Sequence, residues 1–169
     1  MNILVTGAIS KAGRLLRAQV EAATADKYIF SDVYPVDPET GDNLEILDPT
    51  SYEVVCEYVK EHHIDVIVNC FSYDETSEDN ENFQLVNLFN AKVPENLARA
   101  MKDTGGFLVQ VNSGYDANTK SYKCQFPNTK VCGEYRIEDT GCRHKIIRCW
   151  TASAKTAREI EIIESVSGL

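Results

Sequence analysis

The stretch that decides the fold is Met1-Asn2-Ile3-Leu4-Val5-Thr6-Gly7-Ala8-Ile9-Ser10-Lys11-Ala12-Gly13-Arg14. A short apolar run, Ile3 to Val5, leads directly into a turn with glycines at positions 7 and 13, and a segment of helical period follows over residues 13–23. In such a strand, turn and helix, the backbone N–H groups at the helix start can bind a pyrophosphate, and glycine permits its close approach. The opening therefore predicts a nucleotide-binding unit.

Further apolar runs rich in Val and Ile alternate with helical segments along the chain. The pattern predicts strands at residues 2–6, 27–32, 44–47, 65–70, 107–112 and 145–149. Helices are expected at residues 13–23, 51–62, 82–104 with a bend at Pro94, 127–139, and at the terminus over about 152–166. We predict a single α/β domain over residues 1–169, a three-layer, Rossmann-like, doubly wound and mostly parallel sheet in the order 3-2-1-4-5-6.

Composition and charge exclude several classes of partner. The chain has 169 residues, of which 43% are hydrophobic, so it can bury one core but not two. Its 17 Lys and Arg against 26 Asp and Glu give a net charge of -9, which repels nucleic acid and anionic membranes. No apolar run reaches the ~20 residues of a membrane span, and the start resembles no signal peptide. We expect a cytoplasmic protein.

The cysteines and histidines predict neither disulfides nor a metal site. Six cysteines are scattered without any C-x-x-C pair, and His62, His63 and His144 lie at no ligand-like spacing from them. We therefore expect reduced thiols and no metal. Two polar stretches, residues 35–43 and the acidic run 74–82, are interpreted as surface loops.

The turn after the first strand departs from the usual glycine pattern at one position. Gly7 and Gly13 fit T-G-x-x-G-x-x-G, but Ser10 stands where the middle glycine belongs. Serine carries a Cβ and tolerates positive φ poorly, so we expect the approach of a phosphate to be obstructed. A tight turn that binds no ligand is the alternative interpretation.

Charged residues near this turn bear on the choice of cofactor. Asp32 ends the second predicted strand, where an acid can accept hydrogen bonds from ribose hydroxyls and repel a 2′-phosphate, which favours NAD(H). Lys11 and Arg14 could instead hold that phosphate, which favours NADP(H). The balance favours NAD(H) slightly. An acid at a strand end with no ligand is the alternative interpretation of Asp32.

A series of motifs in a fixed order covers residues 1–153: MNILVTGA, LEILDPTSYEVV, IDVIVNCFSYDETSE, VNLFNAKVPENLARA, VNSGYD, FPNTKVCGE and HKIIRCWTAS. By these motifs the chain resembles the extended short-chain dehydrogenase/reductase superfamily, and most closely the dTDP-4-dehydrorhamnose reductases. VNLFNAKVPENLARA, for example, stands where that family has V-N-x-x-x-P-x-N-L-A. The resemblance implies reduction of a 4-keto nucleotide sugar, in dTDP-L-rhamnose synthesis, with a nicotinamide cofactor.

The resemblance also implies roles for individual residues. The glycine turn and Arg14 would hold the pyrophosphate, and Ser113 and Lys130 would be catalytic. The cofactor-binding residues it implies are Gly7, Ser10, Lys11, Gly13, Arg14, Asp32, Glu45, Ile46, Cys70, Phe71, Ser72, Tyr73, Asn87 and Lys130. Among them, Asp32 would contact the adenosine ribose, Glu45 and Ile46 the adenine, and Lys130 the nicotinamide ribose.

The sequence departs from the family at the catalytic acid. Phe126 falls where the family has a tyrosine, and a phenyl ring has no proton to give to the alkoxide that hydride addition leaves. We also expect the family's substrate domain to be largely missing, and a homo-oligomer or a partner chain to cover the surface it leaves. Two functions stay open: a reductase of weak activity, and a non-catalytic nucleotide-binding or interaction module.

Overall fold

A computed structural model describes residues 1–20, 26–73, 83–113 and 125–149. The strands are β1 (Asn2–Thr6), β2 (Lys27–Asp32), β3 (Glu45–Ile46), β4 (Val66–Asn69), β5 (Phe107–Ser113) and β6 (Arg143–Cys149). The helices are α1 (Lys11–Val20), α2 (Tyr52–Glu61), α3 (Phe83–Asn87), α4 (Val93–Thr104) and α5 (Gln125–Thr140). A π-helical turn, Leu88–Lys92, joins α3 to α4.

The strands form one six-stranded sheet in the order β3-β2-β1-β4-β5-β6, and every neighbouring pair is parallel. This confirms the predicted Rossmann-like topology. Alternate residues of the central strands enter two separate cores. Leu4, Ile67 and Leu108 pack with residues of α2, α4 and α5, whereas Ile3 and Val5 pack toward α1.

The predicted elements differ from the observed ones mainly at their ends. Helix α1 begins at Lys11, two residues before the predicted start, and β3 is limited to Glu45–Ile46 because only Ser31 and Asp32 of β2 pair with it. The predicted helix at 152–166 and the acidic loop at 74–82 lie outside the described residues. None of the helices in the described part of the chain is both long and apolar enough to cross a membrane.

The predicted helix over residues 82–104 is three segments, and Pro94 is the physical reason. Proline has no N–H with which to bond the carbonyl of Asn90, four residues earlier. Val93 donates instead to the carbonyl of Leu88, the five-residue spacing of a π-helix. The freed carbonyl of Asn90 packs against Gly133 of α5, where a Cβ would lie only 2.2 Å from that oxygen. The break in the helix is therefore part of its contact with α5.

Candidate functional site

The residues predicted for the site come together at the carboxyl ends of the strands. Successive strands are added to one side of β1 as far as β3 and to its other side from β4 onward, so the strand order reverses between β1 and β4. Open parallel sheets bind ligands in the crevice at that point. The turn after β1, Asp32 at the end of β2, and the segment after β4 all lie along this edge. The topology thus places the predicted nucleotide site where the fold class usually has one.

Two glycines make the turn after β1 possible. Gly7 has a φ of +72°, and a Cβ there would lie 2.4 Å from the backbone nitrogen of Phe71. A Cβ on Gly13 would lie 2.5 Å from the carbonyl oxygen of Gly7. Any side chain at either position would push the turn away from β4 or from α1. The two glycines therefore allow the turn to pack closely against the segment after β4 and against the start of α1, where the backbone N–H groups of a helix can bind a phosphate.

Ser10 is the N-cap of α1 and shows none of the backbone strain expected of it. Its φ lies outside the left-handed region, and its Oγ accepts the N–H of Gly13 at 3.0 Å. The carbonyl of Ser10 accepts the N–H of Arg14 at 2.9 Å. The N–H groups of Lys11 and Ala12, in the first turn of the helix, have no intrahelical partner. Those two donors remain for an anion, while Ser10 itself occupies the Gly13 donor.

Asp32 is buried and joins β2 to the glycine turn. Its carboxylate accepts N–H groups from Ile9 at 3.2 Å and from Val33 at 2.8 Å, and its side chain is 3% exposed. Burial raises the pKa of Asp32, and the backbone donors oppose that shift. The carboxylate therefore fixes the turn from within, at the position where the resemblance puts the adenosine ribose.

The guanidinium of Arg14 is bound by the carboxylate of Asp37, so it is not available to contact a phosphate. The guanidinium donates to both carboxylate oxygens of Asp37, at 2.9 and 2.8 Å, and its Nη1 lies 2.5 Å from Glu39. Arg17 donates to the same carboxylate at 2.7 Å. Asp37 is fully buried, and the hydrogen bond from Arg14 lowers its pKa well below the usual range. The sequence predicts only a polar surface loop over residues 35–43, and the cluster of Asp37 with Arg14 and Arg17 is not part of that prediction.

The segments after β3 and β4 supply the other predicted contacts. Glu45 and Ile46 are exposed on β3, and Ile46 is 63% exposed. Cys70 is buried and donates its N–H to the carbonyl of Thr6 at 2.9 Å. The next three residues are half-buried and follow Cys70 past the glycine turn: Phe71, Ser72 and Tyr73. The structure thus exposes an apolar side chain, Ile46, at the position that the resemblance gives to the adenine.

Asn90 contacts the predicted site residue Tyr73 and is not among the site residues that the sequence predicts. It is 1% exposed, its amide exchanges hydrogen bonds with the backbone of Tyr73 at 3.0 and 3.1 Å, and its Nδ2 donates to Thr129 at 3.3 Å. The family spacing V-N-x-x-x-P leads back from Pro94 to Asn90, not to Asn87, and that count could have found it. Asn87 is half-buried at the end of α3, and its place beside a cofactor stays a prediction.

The predicted catalytic residues lie on β5 and α5. Ser113 is the last residue of β5, and Phe126 lies in the first turn of α5. Lys130 follows one turn later and is 2% exposed, the largest fully buried side chain among the described residues. Within the described ranges, no three His, Cys, Asp or Glu side chains are grouped as a metal site requires.

Comparison with known proteins fits this geometry. The model of the RmlD substrate-binding domain family matches residues 1–158. The chain belongs to that family. A dTDP-4-dehydrorhamnose reductase of Mycobacterium tuberculosis is 27% identical over 114 residues, which cover 68% of this chain and 33% of the relative. The resemblance to reductases of this type is therefore confirmed.

Solved structures share the fold of this RmlD-family chain. A dTDP-4-dehydrorhamnose reductase from Clostridium acetobutylicum has a TM-score of 0.71 at 24% identity, covering 88% of this chain and 52% of its own. The Bacillus anthracis enzyme, in complex with NADP, has a TM-score of 0.65 at 23% identity, covering 87% and 52%. Bordetella bronchiseptica WbmG, in complex with NAD and UDP, has a TM-score of 0.68 at 15% identity, covering 86% and 52%. The chain spans about half the length of these structures and a third of the mycobacterial relative.

Proposed function

We propose that the chain binds a nicotinamide dinucleotide in the manner of dTDP-4-dehydrorhamnose reductases and reduces a 4-keto nucleotide sugar only weakly. The observation that carries this proposal is the turn after β1, where Gly7 and Gly13 leave no room for a Cβ beside β4 and α1. This close-packed turn leads into the N-terminus of α1 at the point where the strand order reverses, which is the position that binds a pyrophosphate in dinucleotide-binding folds.

Several residues would hold the cofactor. The N–H groups of Lys11 and Ala12 face the phosphate position at the start of α1, where the helix dipole favours an anion. Ile46 offers an exposed apolar surface for the adenine, and Lys130 would contact the nicotinamide ribose. When bound, the cofactor supplies the hydride for reduction of a carbonyl.

The acidic surroundings of the turn support a preference for NAD(H). Asp32 stands at the ribose position, and Arg14 is bound by Asp37 and Glu39, so it is not available to a 2′-phosphate. Lys11 remains the cation that could favour NADP(H). The carboxylates near the turn outnumber this one exposed lysine. The local charge therefore favours NAD(H), which lacks the 2′-phosphate.

Weak catalysis follows from Phe126. Ser113 can donate a hydrogen bond to the substrate carbonyl, and Lys130 can fix the ribose, but the alkoxide needs a proton that phenylalanine cannot supply. Loss of a general acid typically removes ~10²–10⁴ of the rate. The same substitution favours a second candidate, a non-catalytic nucleotide-binding or regulatory module.

Titration and turnover together test both candidates. We expect NADH to bind the wild-type chain more tightly than NADPH in calorimetry, and dTDP-4-keto sugar to be reduced slowly. Phe126→Tyr should raise kcat/KM while leaving the Kd of NADH unchanged. If neither dinucleotide binds, the proposal is wrong; binding without turnover by either protein would favour the non-catalytic module.

A further inference from the structure

A row of buried polar side chains crosses the central strands beneath the candidate site. Thr6, Asn69 and Gln110 occupy aligned positions on β1, β4 and β5, and each is at most 2% exposed. Thr6 Oγ1 donates to Asn69 Oδ1 at 2.8 Å, and Asn69 Nδ2 donates to Gln110 Oε1 at 2.7 Å. Packing of an apolar core does not require such groups, and burying them is costly unless each is bonded.

The row continues to α5 and ends on a carboxylate. Gln110 Nε2 donates to Asn112 Oδ1 at 3.0 Å, and Asn112 Nδ2 donates to Glu134 Oε1 at 2.7 Å. Each donor along the row points the same way, from Thr6 toward Glu134. Arg148, which is aligned with Asn112 on β6, donates its Nε and Nη2 to Glu134 at 3.0 and 2.5 Å. The carboxylate is thus held by both strands.

Glu134 and Lys130 share one face of α5. They are four residues apart, which places them one above the other on a helix, and both are buried. On the other side of Lys130, Thr129 accepts the hydrogen bond from Asn90. Buried polar contacts therefore fix α5 on both sides of Lys130.

The other end of the row holds the glycine turn. Asn69 Oδ1, which accepts from Thr6, also accepts the N–H of Phe71 at 3.0 Å. Phe71 is the residue whose backbone lies against Gly7. One hydrogen-bonded row thus connects the predicted pyrophosphate turn with the helix that carries Lys130.

We propose that Glu134 is a positioning residue, whose contacts with Asn112 and Arg148 set the place of Lys130 relative to the glycine turn. The inference rests on the proposed function, because it assumes that Lys130 contacts the dinucleotide. Glu134 thus affects the affinity for the dinucleotide through Lys130, while its own carboxylate is bound by Asn112 and Arg148.

A double-mutant cycle with Lys130→Met and Glu134→Ala tests this role, with the Kd of NADH measured by calorimetry. If Glu134 acts through Lys130, Glu134→Ala weakens binding about tenfold in the wild-type background and less than about twofold beside Lys130→Met. Glu95→Ala is the matched control, because it breaks the 2.8 Å pair with Arg136 on another face of α5. It should change the Kd less than about twofold in either background.

The outcomes separate the two proposals. Equal losses from Glu134→Ala in both backgrounds, or an equal loss from Glu95→Ala, would overturn the positioning role and leave dinucleotide binding intact. An unchanged Kd in Lys130→Met would overturn this inference, together with the contact proposed for Lys130, and leave dinucleotide binding intact. Failure of the wild-type protein to bind either dinucleotide would overturn the proposed function and this inference with it. Should Glu134→Ala not fold, Glu134→Gln, which keeps an acceptor for Asn112, takes its place in the cycle with a smaller loss expected.

Discussion

Ser10 has two competing effects, because it stabilises α1 and occupies a donor that a phosphate could use. Replacement by glycine frees the Gly13 N–H, while glycine at an N-cap costs only a few tenths of a kcal/mol relative to serine. A hydrogen bond to a charged group is worth about 1.5–3 kcal/mol. We therefore expect Ser10→Gly to tighten NADH binding about tenfold in calorimetry, with little change in Tm.

Ser51→Gly is the control for Ser10→Gly. Ser51 caps α2, where its Oγ accepts the N–H of Val54. Its replacement should lower stability by a similar small amount and leave the Kd of NADH unchanged. An unchanged or weaker affinity in Ser10→Gly would show that the capping hydroxyl does not compete with the cofactor.

Asp37 should dominate the stability of the loop after β2. It is fully buried between Arg14 and Arg17, so Asp37→Asn removes the buried counter-ion that the two arginines share and leaves them only the exposed carboxylates of Glu39 and Asp42. Loss of one partner from a buried ion pair is strongly destabilising, and we expect Tm to fall by roughly 10 °C at pH 7. Asp42→Asn is the control, since Asp42 also pairs with Arg17 but is half exposed, and it should lower Tm by less than about 3 °C.

The pH dependence of Asp37→Asn gives a second measurement. The native pKa of Asp37 is depressed, so its stabilising contribution is complete above the ordinary value of 3.8. That contribution is lost progressively as the pH falls from there through the native pKa. The gap in unfolding free energy between wild type and Asp37→Asn should be constant from pH 7 to about 5 and narrow below pH 4. A constant gap down to pH 2 would contradict the assignment.

Only part of the site could be predicted from residue types. The glycine spacing and the place of Asp32 identify the turn because they reflect local backbone geometry. Arg14 and Asp37 are 23 positions apart, and Asp37 lies in a loop that shows neither helical nor strand periodicity. No sequence pattern therefore predicts their pairing. The Ser10 cap follows from the sequence only if the helix start is known, since serine is a favoured N-cap residue but the predicted helix begins at residue 13 and the observed one at Lys11.

The turn after α2 contains a residue in a backbone conformation that favours glycine. His63 has a φ of +50°, in the left-handed region, while Ile64 donates its N–H to the carbonyl of Val59 at 3.0 Å to close the helix. Because His63 is exposed, its replacement costs little packing. We expect His63→Gly to raise the unfolding free energy by about 0.5–1 kcal/mol in urea titration.

His62→Gly is the opposite control. His62 has a φ of −93° and stacks on Tyr58, with ring centroids 4.1 Å apart. Glycine there should destabilise the protein, because it removes the stack without relieving strain. If both glycine variants destabilise, the left-handed residue is not the strained position.

At the level of elements, periodicity predicted all six strands but not the interruption of the third predicted helix, over residues 82–104. Apolar runs such as Val66 to Val68 identify buried parallel strands because both faces are covered. Pro94 predicts a bend in the helix. Whether that bend is a kink or a π-helical turn depends on the residues that pack against it. Here Gly133 admits the Asn90 carbonyl, a contact between distant segments that one sequence does not reveal.

At the scale of the whole molecule, the net charge of -9 and the local acids at the end of β2 act together. Asp32, Glu39 and Asp42 lie in and beside the loop that binds Arg14 and Arg17, so at the proposed site a 2′-phosphate would meet a negative local field as well as a negatively charged protein. Salt screens both effects over about 8–10 Å at physiological ionic strength. We expect the ratio of the NADPH Kd to the NADH Kd to fall as NaCl is raised from 20 to 500 mM.

A pair of charge variants separates the local field from the total charge. Glu39→Gln and Glu61→Gln each remove one negative charge, but Glu39 contacts Arg14, whereas Glu61 is the exposed last residue of α2. If the loop sets the preference, Glu39→Gln lowers the NADPH to NADH ratio about two- to fivefold at low salt and Glu61→Gln leaves it unchanged. Equal changes of the Kd ratio in the two variants would mean that the net charge alone disfavours the 2′-phosphate, because the net charge is the same wherever the carboxylate is removed.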